Sequence, residues 1–253
     1  MAAVGDGKAS LVVTSPPYPM IAMWDASFAA QGAQTYAEMH GALDRVWAEC
    51  ARALQPGGLA CVVVGDALRT VDGRFRLFAN HARVMQAFEA LGFDMLPYVL
   101  WKKPTNKPNA FLGSGFLPPN AYVTLDCEFI LLMRKGGLRK FEPGDGSRKR
   151  SVYTKAERDV WFSQVWELKG VRQGRGAGAR RSAAFPPEVP RRLIRMFSVE
   201  GDLVLDPFAG TGTTLAEAAR LKRRAVGYEV DAGLRGEIER RVAEAGARCR
   251  FEG

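Results

Sequence analysis

Histidine is almost missing from this chain: His40 and His81 are the only two in 253 residues, beside four cysteines. Cys50, Cys61, Cys127 and Cys249 are scattered, with no Cys-x-x-Cys pair. A structural zinc site takes about four such ligands at close spacing, so no metal centre is expected. The thiols read as reduced and structural. No apolar run is as long as the roughly 18 residues that mark a membrane span, and no basic-then-apolar leader opens the chain. The expectation is a cytoplasmic protein with no membrane partner. The phosphate-loop pattern Gly-x4-Gly-Lys-Ser/Thr is absent too, which argues against nucleotide hydrolysis by that route.

Negative charge is scarce in one place. Residues 134–181 hold 14 Lys/Arg against 5 Asp/Glu, while the whole chain carries a formal net charge of +9. The rest of the chain is therefore neutral. A basic run is often only a solvated loop. On an otherwise balanced chain it also suits a phosphate backbone, which makes nucleic acid the leading partner on charge.

The remaining sequence alternates strand and helix signals. Leu11–Val13 is a short buried strand, ended by Thr14-Ser15-Pro16-Pro17-Tyr18-Pro19. Residues 20–34 read as a loop. Met39, Leu43, Val46, Trp47, Cys50 and Leu54 recur at helical spacing, and Gln55-Pro56-Gly57-Gly58 stops that helix. Leu59–Val64 is apolar throughout, as in a strand buried on both faces. A helix over Leu77–Leu91, a strand over Met95–Trp101 and a strand over Tyr122–Met133 follow, with a Pro/Gly-rich loop at Lys102–Pro119. In the basic segment Trp161, Phe162, Val165 and Trp166 are the apolar cluster, and Gly170–Arg181 reads as mobile. Phe185-Pro186-Pro187 opens a helix to about Phe197. Leu203–Leu205, a glycine turn, a helix to Leu221, the strand Ala225–Tyr228 and a helix over Asp231–Ala245 complete the chain. Such alternation implies an α/β fold with a mostly parallel sheet covered on both faces.

Two stretches carry chemistry. Asp206-Pro-Phe-Ala-Gly-Thr-Gly-Thr-Thr214 follows a strand and opens a helix, where backbone N–H groups face a ligand. Leu215 occupies the position of the third glycine in Gly-x-Gly-x-x-Gly, which weakens a dinucleotide reading. Glu229 ends the next strand, 19 residues after Gly210, and a carboxylate there can accept from both hydroxyls of a ribose. The pair indicates an adenosine-type ligand. The other stretch is Ser15-Pro16-Pro17-Tyr18, whose prolines take the backbone out of the sheet and hold the Ser15 and Pro16 carbonyls in set directions. Two such acceptors suit an exocyclic amino group, and Tyr18 could stack on a flipped base. Alone, the tetrapeptide reads first as an ordinary rigid turn.

Together, Thr14–Tyr18 near the start and Asp206–Thr214 near the end, separated by the basic insert, resemble the DNA amino-methyltransferases. The order of the motifs resembles the β-ordered group, and the resemblance covers nearly the whole chain. It includes Pro56-Gly57-Gly58, Trp101-Lys102-Lys103-Pro104, Glu128–Leu131, Trp166 and Ala183-x-Phe185-Pro186. The resemblance implies a Rossmann-like class I methyltransferase with a basic inserted recognition region. It divides the chain into a catalytic part (1–133), a target-recognition insert (134–181) and a cofactor-binding part (182–253). It implies S-adenosylmethionine as cofactor, held by Asp206, Phe208, Gly210, Gly212, Thr213, Thr214 and Glu229, with Ser182, Ala183 and Phe185 over its methionine end. Ser15, Pro16, Pro17 and Tyr18 would hold the target base. Lys102, Lys103, Arg148, Lys149, Arg150, Arg172 and Arg175 would contact DNA.

Members of the β-ordered group often dimerise, so a homodimer belongs to the expectation. Serine at the first catalytic position resembles enzymes acting on cytosine N4, with adenine N6 the alternative. A catalytically silent DNA-binding module and a nicotinamide oxidoreductase are the readings from other classes. Two departures from the family stand out. Only Val4-Gly5-Asp6 remains of an earlier strand ending in Gly-Asp, so the cofactor-side edge of the sheet is expected to differ. Arg181 stands where the family tends to place a histidine before Ala-x-Phe-Pro.

Overall fold

The computed structural model describes residues 1, 3–104, 112–114, 116–170 and 185–252. The first strand, β1 (Ala9–Thr14), is buried along its whole length. A short helix α1 (Asp25–Ala29) breaks what reads as loop. Helix α2 (Tyr36–Ala53) starts at a capping box, in which Thr35 accepts from the Glu38 amide and Glu38 returns the bond. Strand β2 (Leu54–Val64) is followed by β3 (Ala67–Val71) and β4 (Arg74–Phe78), then helix α3 (Asn80–Ala90). Strand β5 (Phe93–Lys102), the two-residue strands β6 (Leu112–Gly113) and β7 (Ala121–Tyr122), and β8 (Cys127–Lys135) come next. The basic segment contributes α4 (Ser147–Arg150), α5 (Lys155–Trp161) and β9 (Val165–Glu167). The chain ends with α6 (Glu188–Phe197), β10 (Leu203–Asp206), α7 (Thr213–Arg220), β11 (Arg224–Gly227) and α8 (Arg235–Glu244).

Seven strands form one sheet in the order β11-β10-β1-β2-β8-β5-β9, with β8 running against its neighbours and the others parallel. Side-chain alternation divides the core. Val12, Ala60, Val62, Leu131 and Leu205 face α2 and α3 with Trp47 and Phe88. Leu11, Val13, Cys61, Val63, Ile130 and Val204 face α6 and α7 with Leu193 and Ala218. The continuous apolar run of β2 is thus explained by helices on both faces. This is the Rossmann-like sheet expected. Among the described residues no strand lies beyond β11. Val4–Gly7 is pinned instead to the end of α2, where the Arg52 guanidinium donates to Val4 O and Asp6 and the Arg52 carbonyl accepts from the Gly7 amide.

Two local expectations change. Leu77 and Phe78 belong to β4, so α3 begins at Asn80. Asp72 and Gly73 both take positive φ, +51° and +72°, and make a two-residue turn that pairs β3 with β4. The long strand over Tyr122–Met133 divides into β7 and β8, with residues 123–126 between them.

Candidate active site

The parallel register Leu11–Val204 and Val12–Leu205 sets the carboxyl ends of β1 and β10 side by side. Thr14 Oγ1 donates to Asp206 Oδ1 at 2.6 Å, joining residues 192 apart in the chain. Both expected motifs therefore open on one crevice, at the point where strand order reverses. Asp206 is 2% exposed and also accepts from the Phe208 amide at 3.1 Å. Burial pushes its carboxyl up to about 6, against the bonds from Thr14, Thr214 and the Phe208 amide, which favour the charge.

The glycine turn has the geometry its sequence requires. Gly210 and Gly212 lie at φ +51° and +80°, where an L side chain is strained. A Cβ on Gly212 would also come within 3.2 Å of Ile238 in α8. The Gly210 amide donates to Glu229 Oε2 and the Asp231 amide to Oε1, both at 2.8 Å. Each Glu229 oxygen keeps a lone pair for a further donor. Thr211 Oγ1 is buried without a partner, an orphaned polar atom inside the turn. Thr213 Oγ1 accepts from Arg241 at 3.0 Å, and Thr214 Oγ1 reaches back to Val13 O at 3.5 Å. Phe208 packs edge-on to Trp47, ring centroids 5.9 Å apart. Glu229, the orphaned hydroxyl and the open glycine turn fit an adenosine-type ligand.

Ser15–Tyr18 lies past Thr14–Val62, the last register pair of β1 with β2. Ser15 Oγ and Tyr18 Oη are 3.0 Å apart, and Tyr18 Oη donates to Glu128 Oε2 at 3.0 Å. Glu128 in turn pairs with Lys103, whose ammonium sits 4.4 Å from the Trp101 ring centre. Burial, then the Glu128 charge, raise the Tyr18 phenol well above its usual value, so it stays a donor. Gly65, directly after β2, gives the ring room: a Cβ there would lie 3.0 Å from Tyr18 Cε2. Asn80, fully buried, donates to both Pro19 O at 3.0 Å and Gly65 O at 2.9 Å. Its Oδ1 lies 3.1 Å from His40 Nε2, and burial lowers that imidazole to about 4. Beside this turn, Asp66 accepts from the amide and Nδ1 of His81, which stacks on Phe129. Neither Asn80 nor Glu128 stood out as a site residue in the sequence. An asparagine opening a helix and a glutamate in a strand carry no local signal of a contact made 61 or 110 residues away.

A model of the DNA methylase family matches residues 9–239. The chain belongs to that family. The methylase is 53% identical to a type II methyltransferase, M.MjaI of Methanocaldococcus jannaschii, over 94% of this chain and 86% of the relative. It is 43% identical to M.MthZI of Methanothermobacter thermautotrophicus, over 94% and 72%. Among solved structures, the putative DNA modification methylase TTHA0409 of Thermus thermophilus, complexed with S-adenosyl-L-methionine, is 36% identical with a TM-score of 0.76, covering 96% of this chain and 89% of that one. The methylase is thus a DNA amino-methyltransferase of the N4/N6 group, and S-adenosylmethionine is the methyl donor of such enzymes.

The expected site residues fall into three sets. Ser15–Tyr18, Asp206, Phe208, Gly210, Gly212, Thr213, Thr214 and Glu229 gather at the crevice. Lys102 and Lys103 end β5 at the same side, paired with Glu167 at 4.0 Å and with Glu128. Phe185 packs in the core cluster with Trp166 and Val189, at the entrance of α6. Ser182, Ala183, Arg172, Arg175 and Arg181 lie outside the described residues.

Arg148, Lys149 and Arg150 are separated from the crevice by the height of the sheet. Arg150 approaches Glu200 at 3.8 Å, the Glu200 amide donates to Ser151, and Arg139 binds Asp202 twice, at 2.6 and 2.8 Å. Those acids precede β10, whereas Asp206 ends it. The basic insert is therefore divided. One part clamps the amino ends of the strands, and β9 extends the sheet towards the crevice end. Among the described residues no group of His, Cys, Asp and Glu could hold a metal, and no helix is long and apolar enough to cross a membrane.

Proposed function

We propose that this enzyme methylates N4 of cytosine in DNA, at a base turned out of the helix into the crevice between Ser15–Tyr18 and Asp206–Thr214. The observation that carries the reading is the Thr14–Asp206 bond, which holds a candidate base site and a candidate cofactor site at the ends of adjacent strands. When bound, S-adenosylmethionine supplies an electrophilic methyl group on its sulfonium. Glu229 would accept hydrogen bonds from the ribose hydroxyls, and ionised Asp206 would offset positive charge on the methionine part. Thr213 and Thr214 hold that turn against α8 and β1.

The amine to be methylated is a weak nucleophile because its lone pair is delocalised into the ring. No described side chain or loop amide donates to the Ser15 or Pro16 carbonyl. Both are free to accept the amine hydrogens, which favours a tetrahedral, nucleophilic nitrogen and stabilises the charge developing on it. Glu128 and Asn80 hold the turn through Tyr18 and Pro19, so most of the remaining acceleration comes from position. Ser15 has its hydroxyl engaged by Tyr18 and brings no charge to the base, and it is this serine, where aspartate is the common adenine-enzyme residue, that favours cytosine.

The type II names of its relatives suggest a modification enzyme of a restriction system. The test is incubation of unmethylated DNA with labelled cofactor, then digestion to nucleosides. Label in N4-methyldeoxycytidine is expected. Label in N6-methyldeoxyadenosine moves the reading to adenine, and cofactor binding without labelled DNA identifies a silent DNA-binding module.

A further inference from the structure

The ribbon of β3 and β4 leaves the carboxyl end of β2 directly after Gly65 and Asp66 and returns to Asn80. It therefore stands on the rim of the crevice, and it belongs to neither motif. We propose that this ribbon enters a groove of the DNA duplex beside the target base and holds it through Arg74 and Arg76. The proposal rests on the DNA-methylating reading above and names a surface that supports it.

The register places Arg69 opposite Arg76 and Val71 opposite Arg74, so three arginines share one face. Like charges directly opposed across two strands destabilise a ribbon. Asp25 relieves one of them, accepting from Arg69 at 2.8 and 2.7 Å. Arg74 and Arg76 are exposed, and no described carboxylate pairs with either. Arg76 lies 4.9 Å over the Phe78 ring, which supports its stem and leaves its donors unspent. The opposite face is braced by Phe75 against Tyr122, ring centroids 4.9 Å apart. Ala67 and Phe78, at the base of the arginine face, are buried in the core, and Arg74 and Arg76 stand exposed on that face nearer the tip.

Its dimensions match the partner. Five residues per strand span roughly 16 Å, and the DNA major groove, about 12 Å wide, admits a two-stranded ribbon. Two arginines with free planar donors suit phosphate oxygens or the edge of guanine. The ribbon also supplies what the insert does not, since Arg148–Arg150 face the other end of the sheet.

The test compares the wild type with R74A/R76A and R74K/R76K on unmethylated plasmid DNA. DNA affinity by fluorescence anisotropy and KM for DNA are read between about 50 and 200 mM salt. R74A/R76A is expected to weaken DNA binding roughly tenfold or more and to make the log–log salt slope shallower by about 2. The Kd for S-adenosylmethionine and the Tm stay at wild-type values, and R74K/R76K recovers most of the slope. DNA affinity and slope unchanged in R74A/R76A overturn the proposal. If the wild type transfers no methyl group, the function reading fails, and anisotropy still decides the ribbon.

Discussion

Asp206 is 2% exposed, and its neighbours supply only part of what water would. Thr14, Thr214 and the Phe208 amide hydrogen-bond it, yet desolvation outweighs them and raises its carboxyl from 3.8 to about 6. A folded value above the unfolded one means that the folded protein holds the proton more tightly. Its contribution to stability is present below pH 3.8 and lost as the pH rises through about 6. His40 runs the other way. Burial lowers it from 6.5 to about 4, so stability is lost as the pH falls through that window, where only the unfolded chain takes up the proton. A positively charged ligand beside Asp206 favours the ionised carboxylate. Affinity for S-adenosylmethionine should therefore rise as the pH is raised through about 6. Asp206→Asn should weaken binding and flatten that rise, which calorimetric titration from pH 5 to 8 would show, pH dependence unchanged being the contrary result.

At the scale of elements, helix α3 acts on the Ser15–Tyr18 turn through its first residue. Asn80 ties the carbonyl of Pro19 to that of Gly65, so the loop after β1 is held against the end of β2. Asn80→Ala would orphan both carbonyls and His40 Nε2, at roughly 1–3 kcal/mol for each buried group left unpaired. The expected outcome is a lower Tm and a kcat that falls well beyond any change in cofactor Kd, because the turn holding the base loosens while Asp206–Thr214 does not. Equal losses in both would contradict it. Helix α3 also shows what periodicity conceals. Leu77 and Phe78 continue its apolar pattern backward, although they end a hairpin whose marker, Asp72-Gly73, spans two residues. The alternation in Arg74-Phe-Arg-Leu-Phe78 around that dipeptide is the signal that identifies the ribbon.

Across the whole molecule the excess charge does not all face the substrate. Four residues of β10, about 13 Å, separate Asp206 from Asp202, where Arg139 is committed to an ion pair. That distance exceeds the screening length of about 8 Å at physiological salt. A triple substitution of Arg148, Lys149 and Arg150 to alanine should leave KM for DNA within about twofold of wild type. Steady-state methylation of plasmid DNA measures it, and a loss comparable to that of the ribbon variant would return α4 to the DNA-binding face.

What the sequence determined by itself was local. A strand, glycines at positive φ and a helix start make the Asp206–Thr214 turn from neighbours in the chain, and consecutive prolines do the same for Ser15–Tyr18. Apolar runs flanked by helical patterns sufficed for a parallel sheet covered on both faces. Tertiary structure alone decided that β1 lies against β10, that Asn80 and Glu128 reach the Ser15–Tyr18 turn, and which end of the sheet Arg139 and Arg150 occupy. Backbone conformation is set within a few residues. Which strands pair and which side chains meet depends on contacts between distant segments, and net charge counts residues without saying where they point.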